Sequence, residues 1–511
     1  NAIDAAVAVG FALAVTLPRA GNIGGGGFML VYAAKTGKVI CIDYREKAPK
    51  KAYRDMFLNK DGNVDLNLSR FHHLSAGVPG TVAGLAMALR KFGTISLSQA
   101  LKPAIKLADE GFLLRHKFCS EIKNCAKRLK KWDASKKIFF KKDGSFYAAG
   151  DLFLQKDLAH TLKTIADRGI NAFYQGEIAA LILKDMQANG GFITAGDLKN
   201  YKPALRTPVK GNYRGYAVYS MYPPSSGGVH IIQMLNIIKG FDLPVLGHNS
   251  AATIHIMAEA MRRAYADRSK YLGDPDFVKV PVDKITSMAY ARALRDKIDL
   301  NRTAQSRQIT PGMIPFPESE NTTHFSIVDK EGNAVANTYT INFSFGSGIV
   351  VPGAGFLLNN EMDDFSAKPG VPNAFGLIGG TANAIAANKR MLSSMSPTIV
   401  LKDGKPFLVT GSPGGSRIIT ATLQIILNVI DHKMNIQEAV NAPRIHHQWF
   451  PDEIRIEEGI SLDTTNLLRK MGHRVSVKKT MGAASSILID NKRAILYGAG
   501  DPRRQGLALG Y

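Results

Sequence analysis

Two threonines and a histidine stand at the front of an apolar stretch in NTTHFSIVDK, residues 321–330. A threonine hydroxyl is a poor nucleophile unless a base accepts its proton. At a free chain terminus the α-amino group of the same residue can accept it, because its pKa of about 7.7–8.0 leaves a useful neutral fraction. In an intact chain that nitrogen is an amide. A cut between Asn321 and Thr322 would therefore supply nucleophile and base together, although β-propensity alone also explains threonine here.

The elements around Thr322 suit such a cut. The preceding segment, NRTAQSRQITPGMIPFPESEN from 301 to 321, is polar and contains prolines. A structureless connection of this length is usually functional or exposed, so a cut at its end is sterically reasonable. The residues after Thr322 predict a β-hairpin, because HFSIVD and AVANTYTINF are strand-like and the turn KEGN separates them.

Familiar catalytic motifs are missing from the sequence. It has no GxSxG nucleophile elbow, no HExxH zinc helix and no GxxxxGK[ST] phosphate loop. His72 and His73, like His446 and His447, lack a metal-ligand framework, so we expect them to pack or form hydrogen bonds. GNIGGGGFML is glycine-rich but leads into a strand, which makes phosphate binding a weak interpretation. We predict neither a metal nor a cofactor.

Composition describes a globular protein of mixed secondary structure. The 511 residues are 45% hydrophobic and 21% charged, and the length alone allows up to about three domains. The longest apolar run, residues 5–17, is too short for a membrane span and predicts a buried helix. Because the chain begins at Asn1 rather than Met, we expect an upstream segment with an export signal. Three cysteines make no disulfide framework.

The formal charge of +23 concentrates partly in KNCAKRLKKWDASKKIFFKKDG, residues 123–144. One interpretation is attraction to an anionic partner such as nucleic acid or a lipid surface. The other is a solvated, basic helical face followed by a hairpin. We favour the second and predict no nucleic acid partner, because no helix-turn-helix, RNA-recognition or zinc-finger pattern accompanies the charge.

Alternating patterns predict both strands and helices elsewhere. FMLVYAA, VICIDYR and SPTIVLKDGKPFLVTGS are typical of strands, whereas TVAGLAMALRKFG, TIHIMAEAMRRAYADRS and RIITATLQIILNVI are typical of helices. SPGGS, before the last of these helices, is by itself a plain turn ahead of a helix cap.

Several long blocks in one order resemble the γ-glutamyltranspeptidase family of N-terminal nucleophile hydrolases, its bacterial branch most. The blocks are NAIDAAVAVGFALAV, GNIGGGGFML, DYREKAP, YPPSSGGVH, TTHFSIVDKEGNAVANTYTIN, NNEMDDFSAKPGVPN, LSSMSPTIV, GSPGGSRIIT and GDPRRQGLALGY. The resemblance implies an α+β fold, an αββα sandwich built jointly by two subunits from one precursor. It replaces the length-based estimate of several domains.

The family precursor cuts itself before the first threonine of the TTH block. By resemblance, residues 1–321 form a large subunit and residues 322–511 a small subunit that begins with the nucleophile Thr322. Thr340 matches a second threonine that orients the nucleophile. Gly414 and Gly415 match the oxyanion hole, where each N–H is typically worth about 3–4 kcal/mol in the transition state.

The resemblance also implies how a γ-glutamyl group is selected. Arg45 matches an arginine that binds the α-carboxylate, an interaction suited to a bidentate guanidinium. Ser393 and Ser394 match hydroxyl donors to the same carboxylate, and Asn342, Glu361 and Asp364 match acceptors around the α-ammonium. Without the family pattern, Arg45 could be a surface ion pair and NNEMDD an acidic turn.

Two positions depart from the pattern of close relatives. Phe375 lies in the segment that matches the family's lid, where bacterial relatives commonly have tyrosine, so an aromatic gate is kept but a phenol hydrogen bond is not. Asn321 stands where glutamine is expected. The implied activity is cleavage of glutathione or related γ-glutamyl compounds, with transfer to water, an amino acid or a peptide, in a periplasmic or secreted enzyme. A cephalosporin or glutaryl acylase and a non-catalytic basic binding protein are the alternatives.

Overall fold

The computed structural model describes residues 1–309, 322–371, 373 and 376–510, so Asn321 and Phe375 lie outside the described residues. The strands in chain order are β1 (Gly26–Ala33), β2 (Lys38–Tyr44), β3 (Phe112–Leu113), β4 (Leu152–Phe153), β5 (Ala204–Arg206), β6 (Val209–Tyr213), β7 (Tyr216–Ser220), β8 (Thr323–Val328), β9 (Ala334–Thr340), β10 (Thr398–Lys402), β11 (Lys405–Thr410), β12 (Ile445–His446), β13 (Ile454–Glu457), β14 (Val475–Lys478), β15 (Ser485–Asp490) and β16 (Ile495–Gly500).

The α-helices in chain order are α1 (Ala2–Thr16), α2 (Leu66–Phe71), α3 (Thr81–Phe92), α4 (Leu97–Glu110), α5 (His116–Asn124), α6 (Ala126–Leu129), α7 (Asp133–Phe139), α8 (Lys156–Arg168), α9 (Asn171–Tyr174), α10 (Glu177–Ala188), α11 (Ala195–Asn200), α12 (Gly227–Ile238), α13 (Leu243–Leu246), α14 (Ala251–Tyr271), α15 (Val282–Ile285), α16 (Met288–Arg295), α17 (Arg417–Ile430), α18 (Ile436–Asn441) and α19 (Leu462–Lys470).

Two sheets stack at the centre of the molecule. The first has the order β5-β2-β1-β9-β8 and the second the order β16-β15-β11-β10-β7-β6. Apolar side chains of both sheets, such as Phe28 and Leu30 of the first and Ile399 and Val409 of the second, form one buried layer between them. Such interdigitation of two inner faces is how stacked sheets form a core.

Helices cover the outer face of each sheet. Helices α1, α3, α4, α8 and α10 share a buried apolar cluster with strands β1, β2 and β9 of the first sheet. Helices α12, α14 and α17 share another with strands of the second sheet. The layer order is therefore helix, sheet, sheet, helix, and the expected αββα sandwich is confirmed.

Each central sheet combines strands from before and after Thr322. In the first sheet β9 pairs with β1 and β8 follows it, and in the second sheet β7 pairs with β10 and β6 follows it. Neither part of the chain therefore completes a sheet without the other.

The glycine-rich stretch before β1 allows a close approach of backbones. An added Cβ on Gly25 would lie 2.0 Å from the backbone oxygen of Thr340, and one on Gly27 would lie 2.4 Å from Cβ of Tyr339. Real Cβ contacts are never so short, so these residues must lack a side chain for β1 to pair with β9. This packing accounts for GNIGGGG without any phosphate.

The predicted β8–β9 hairpin is confirmed, with six residue pairs in register from Thr323 opposite Tyr339 to Val328 opposite Ala334. The hairpin predicted after the basic helical segment is wrong. Residues 141–150 form turns, closed by a hydrogen bond of 2.8 Å from Gly144 N to Lys141 O, before β4 begins. Among the helices that the structure describes, none is both long enough and apolar enough to cross a bilayer.

Candidate active site

Thr322 lies directly before β8, opposite the last residue of β9. Its Oγ1 is 3.5 Å from Oγ1 of Thr340, and both residues are buried, with 5% and 4% of their surface exposed. The backbone N–H of Asn342 donates to Oγ1 of Thr340 at 2.8 Å. A hydroxyl that already accepts a backbone hydrogen bond is fixed in position, so Thr340 can orient the Thr322 hydroxyl.

Asn342 adopts a left-handed backbone conformation, with φ of +73°. Asparagine is one of the few residues besides glycine that adopt this conformation, because its short polar side chain can form a local hydrogen bond. The Nδ2 amide of Asn342 donates to Asn360 O at 3.0 Å, which helps to hold the turn. This turn aims the backbone N–H of Asn342 at Oγ1 of Thr340.

The ring nitrogens of His324, two residues after Thr322, contact hydroxyls other than that of Thr322. Its Nδ1 lies 2.8 Å from Oγ1 of Thr338 and its Nε2 lies 3.1 Å from Oγ of Ser326. Burial lowers the pKa of His324 to about 3, so the ring is neutral at physiological pH. Its function here is to pack between the two sheets against Gly411.

Gly414 and Gly415 form a turn immediately before α17, with φ of +133° and +57°. The N-terminus of a helix presents unpaired N–H groups and a positive dipole to an anion. The turn is braced from two sides at Ser416. The Tyr265 hydroxyl donates to Ser416 O, and Oγ of Ser416 donates to Oε1 of Gln448 at 2.7 Å.

Arg45 follows β2 and is completely buried among carboxylates. Its Nη1 is 2.6 Å from Glu361 and 3.4 Å from Glu46, and its Nη2 pairs with Asp364. Burial raises the pKa of Glu46 to about 7 and that of Glu361 well above its ordinary value, against the attraction of Arg45. One cation therefore faces three carboxyl groups that do not all ionise together.

Ser393 and Ser394 lie beside the segment that leads into α12. Ser226 donates to Ser393 O from its N and its Oγ, each at 2.8 Å. Oγ of Ser394 accepts a long contact of 3.4 Å from Nη2 of Arg268, a buried residue of α14. Sequence reasoning did not select Arg268. The sequence feature that could have pointed to Arg268 is the presence of several arginines in α14, a helix that the structure buries along most of its length.

One cavity collects most of the predicted site residues. Its lining consists of Arg45, Arg268, Thr322, Thr340, Asn342, Asp364, Leu377, Leu392, Ser393, Ser394, Met395, Gly415 and Ile418. Glu361 lies behind Arg45 and Gly414 precedes Gly415, both outside this lining. The cavity thus places the hydroxyl of Thr322 beside groups that can bind a carboxylate and an ammonium.

The last described residues before Thr322 are anchored to the later part of the chain. The indole N–H of Trp449 donates to Ser306 O and Ile309 O, each at 2.9 Å. The backbone N–H of Ser306 donates to Asp452 at 2.8 Å. The connection predicted to be structureless is therefore held as far as residue 309, and its remainder lies outside the described residues.

His255, Glu259 and His473 bring three possible metal ligands together in the described part of the chain. Burial opposes ionisation of Glu259, but ion pairs with Arg262 and Arg263 lower its pKa to about 2. The ring atoms Nδ1 of His255 and Nε2 of His473 lie 2.7 Å apart, as a hydrogen-bonded pair. Two guanidinium groups would repel a metal cation, so we assign this cluster to packing.

The predicted histidine pairs make ordinary hydrogen bonds. His73 Nε2 lies 3.0 Å from Asp185, and His446 Nε2 lies 2.8 Å from Gln448. His72 accepts from Leu74 N at 3.2 Å. His447 Nε2 lies 3.3 Å from an oxygen of Asp452.

Comparison with known proteins places this geometry in a family. The family model for Gamma-glutamyltranspeptidase matches residues 1–511. The chain is 55% identical over 512 residues to a glutathione hydrolase proenzyme of Escherichia coli K12, covering all of this chain and 88% of that protein.

Solved structures give the same picture. Cephalosporin acylase from Bacillus halodurans superposes with a TM-score of 0.87 at 28% identity, covering 100% of this chain and 92% of its own. A chain of γ-glutamyltranspeptidase from Helicobacter pylori superposes with a TM-score of 0.60 at 54% identity, covering 61% of this chain and 89% of its own.

Proposed function

Because this chain belongs to the γ-glutamyltranspeptidase family, we propose that it cleaves the γ-glutamyl amide bond of glutathione and related compounds. The observation that carries the proposal is the pair of hydroxyls of Thr322 and Thr340, 3.5 Å apart at the wall of one cavity with Arg45 and Asp364. No acid, base or metal from elsewhere in the chain is needed, because a terminal threonine carries its own base.

Maturation comes first: water hydrolyses the peptide bond between Asn321 and Thr322, which leaves a carboxylate on Asn321 and a primary amine on Thr322. That amine accepts the hydroxyl proton as Oγ1 attacks the γ-carbonyl carbon. Backbone N–H groups of Gly414 and Gly415 stabilise the oxyanion. Collapse breaks the C–N bond, and the leaving amine takes the proton back. A γ-glutamyl ester of Thr322 remains, and water or the amino group of an acceptor attacks it.

Charge complementarity selects the donor. A γ-glutamyl group ends in an α-carboxylate and an α-ammonium. Arg45, Ser393 and Ser394 bind the first, and Asp364, Glu361 and Asn342 bind the second. In the substrate-free arrangement Arg45 and Asp364 pair with each other, so the two charges of the substrate replace two charges already aligned.

The cut divides the chain into a large subunit, 1–321, and a small subunit, 322–511. One chain of the Helicobacter pylori protein aligns with 61% of this chain. That share is close to the share of residues 1–321 and supports the division. Both sheets contain strands of both parts, joined at the β1–β9 and β7–β10 pairs, so the two pieces stay together as a heterodimer. Export to the periplasm or beyond is proposed from the family alone.

The experiment is a denaturing gel with N-terminal sequencing, run alongside hydrolysis of γ-glutamyl-p-nitroanilide. We expect a small piece that begins at Thr322, and we expect Thr322→Ala to stay uncut and inactive. Thr323→Ala, at the next residue of the strand, is the matched control and should still be cut. A single unbroken chain with full activity would contradict the mechanism.

A second candidate is an acylase with the same nucleophile and a different acyl pocket, favoured by the TM-score of 0.87 with the Bacillus halodurans enzyme. The two candidates differ at the ammonium-binding residues. Asp364→Ala should abolish turnover of γ-glutamyl substrates and spare glutaryl substrates, which lack the ammonium. Retention of γ-glutamyl turnover in Asp364→Ala would favour the acylase.

A further inference from the structure

Arg268 occupies an unusual position in the active-site cavity. It is in the last turn of α14, with 5% of its surface exposed, and it lines the same cavity as Thr322. Its Nε donates to Oγ of Ser226 at 3.0 Å, and its Nη2 contacts Oγ of Ser394 at 3.4 Å. Both partners are neutral hydroxyls.

The two arginines of the cavity differ in their counter-ions. Arg45 is paired with Glu46, Glu361 and Asp364. Within the described ranges of the chain, no carboxylate lies at ion-pair distance from Arg268. Burial lowers the pKa of Arg268 to about 10, whereas the charges of Tyr265 and Asp364 act to raise it, so the side chain still carries its charge at neutral pH. A buried cation with no carboxylate in direct contact is unfavourable, and an anion that reaches it gains correspondingly.

The hydroxyl of Ser394 lies between Arg268 and the space that a substrate carboxylate could occupy. When Arg268 donates to Oγ of Ser394, the Ser394 hydroxyl proton is left to point elsewhere. A carboxylate in the cavity could accept that proton and face the guanidinium at once. Charge-assisted contacts of this kind are about twice as strong as neutral hydrogen bonds.

We infer that Arg268 is a second cationic contact for the α-carboxylate of the γ-glutamyl donor, acting with Ser394 beside Arg45. The inference rests on the proposed function, since the carboxylate is that of the proposed donor. Arg268 is then a specificity-determining residue. It also explains how the cavity can bind a carboxylate although carboxyl groups already surround Arg45.

The test compares three p-nitroanilides on the processed enzyme. The γ-glutamyl compound has both charges, the glutaryl compound lacks the ammonium and the 4-aminobutanoyl compound lacks the carboxylate. In Arg268→Met we expect kcat/KM for the first two to fall about 10- to 100-fold, mainly through KM, and that of the third to change less than about threefold. Arg268→Lys, which keeps the charge, should recover part of the loss.

If Arg268 had a merely structural role, Arg268→Met would lower kcat/KM for all three substrates together. That result, or no fall in kcat/KM for any of them, would overturn the inference. If 4-aminobutanoyl turnover is too slow, competitive inhibition by L-glutamine and by L-glutamine amide gives the same comparison, because these differ only in the α-carboxylate. Loss of cleavage before Thr322 in both variants would assign Arg268 to folding and also overturn it. Failure of the wild-type enzyme on the γ-glutamyl compound would instead count against the proposed function.

Discussion

Oγ1 of Thr322 and Oγ1 of Thr340 lie 3.5 Å apart across the β8–β9 pair, and the backbone N–H of Asn342 fixes the second of them. Thr340→Val keeps the branched shape and removes the hydroxyl. We expect kcat for γ-glutamyl-p-nitroanilide to fall about 10- to 100-fold, the range for one lost orienting hydrogen bond. Thr340→Ser should retain most activity. Equal rates for Thr340→Val and the wild type would show that Thr340 does not orient the nucleophile.

Tyr265 should affect kcat through the turn of Gly414 and Gly415, the proposed oxyanion hole. Its hydroxyl donates to Ser416 O, next to Gly415, so Tyr265→Phe loosens the turn without touching substrate. We expect kcat to fall about tenfold with KM unchanged, less than the about 100- to 1,000-fold seen on losing an oxyanion donor itself. Tyr213→Phe removes a buried hydroxyl bonded to Asp431 at 2.6 Å and is the control. An equal fall in kcat for Tyr213→Phe would show that loss of any buried tyrosine hydroxyl has this effect, and would contradict a specific role of Tyr265.

Gly25 should tolerate no side chain. A Cβ there would lie 2.0 Å from the backbone oxygen of Thr340, whereas the nearest atom to one on Gly196 is 3.7 Å away. We expect Gly25→Ala to lower the free energy of unfolding by about 1–3 kcal/mol, as overpacking does, and to reduce activity by displacing Thr340. Gly196→Ala, in helix α11 and with free space for a Cβ, should lower neither. Urea unfolding of both variants makes the comparison, and equal midpoints would show that β1 and β9 can separate at little cost.

Stability should fall as the pH drops below about 6.5. Burial, aided by His255 and Arg262, lowers the pKa of His473 to about 3. The unfolded chain then binds a proton that the folded chain does not, between the unfolded pKa of about 6.5 and the folded one. Each such histidine lowers the free energy of unfolding by up to about 1.4 kcal/mol per pH unit in that window.

His473→Gln tests this assignment. Thermal unfolding at pH 7 and pH 5 should show a smaller loss of Tm in the variant than in the wild type. Several other histidines, among them His324, are also buried and neutral, so part of the loss remains. An unchanged difference in Tm would mean that His473 does not contribute.

Local patterns predicted the elements well, because strand alternation and helical periodicity are properties of neighbouring residues. The hairpin at Thr322 and helix α14 both came from such patterns. The contacts of charged side chains could not be predicted in this way, because they join residues far apart in the sequence. Arg268 reaches Ser394 from 126 positions away, and Arg45 meets Asp364 from 319 positions away. The resemblance supplied Arg45 and Asp364, whereas nothing in the helical pattern separated Arg268 from its basic neighbours.

The sharing of each central sheet by strands from both sides of Thr322 has a consequence for recovery after denaturation. Once the bond before Thr322 is cut, a denatured molecule is two separate chains, and each lacks strands that its sheets require. Renaturation then needs an encounter between them, so its yield should rise with protein concentration. The uncut Thr322→Ala chain carries all strands on one backbone and should renature independently of dilution. The proposed cleavage would thus turn one folding unit into an assembly of two chains that is harder to rebuild.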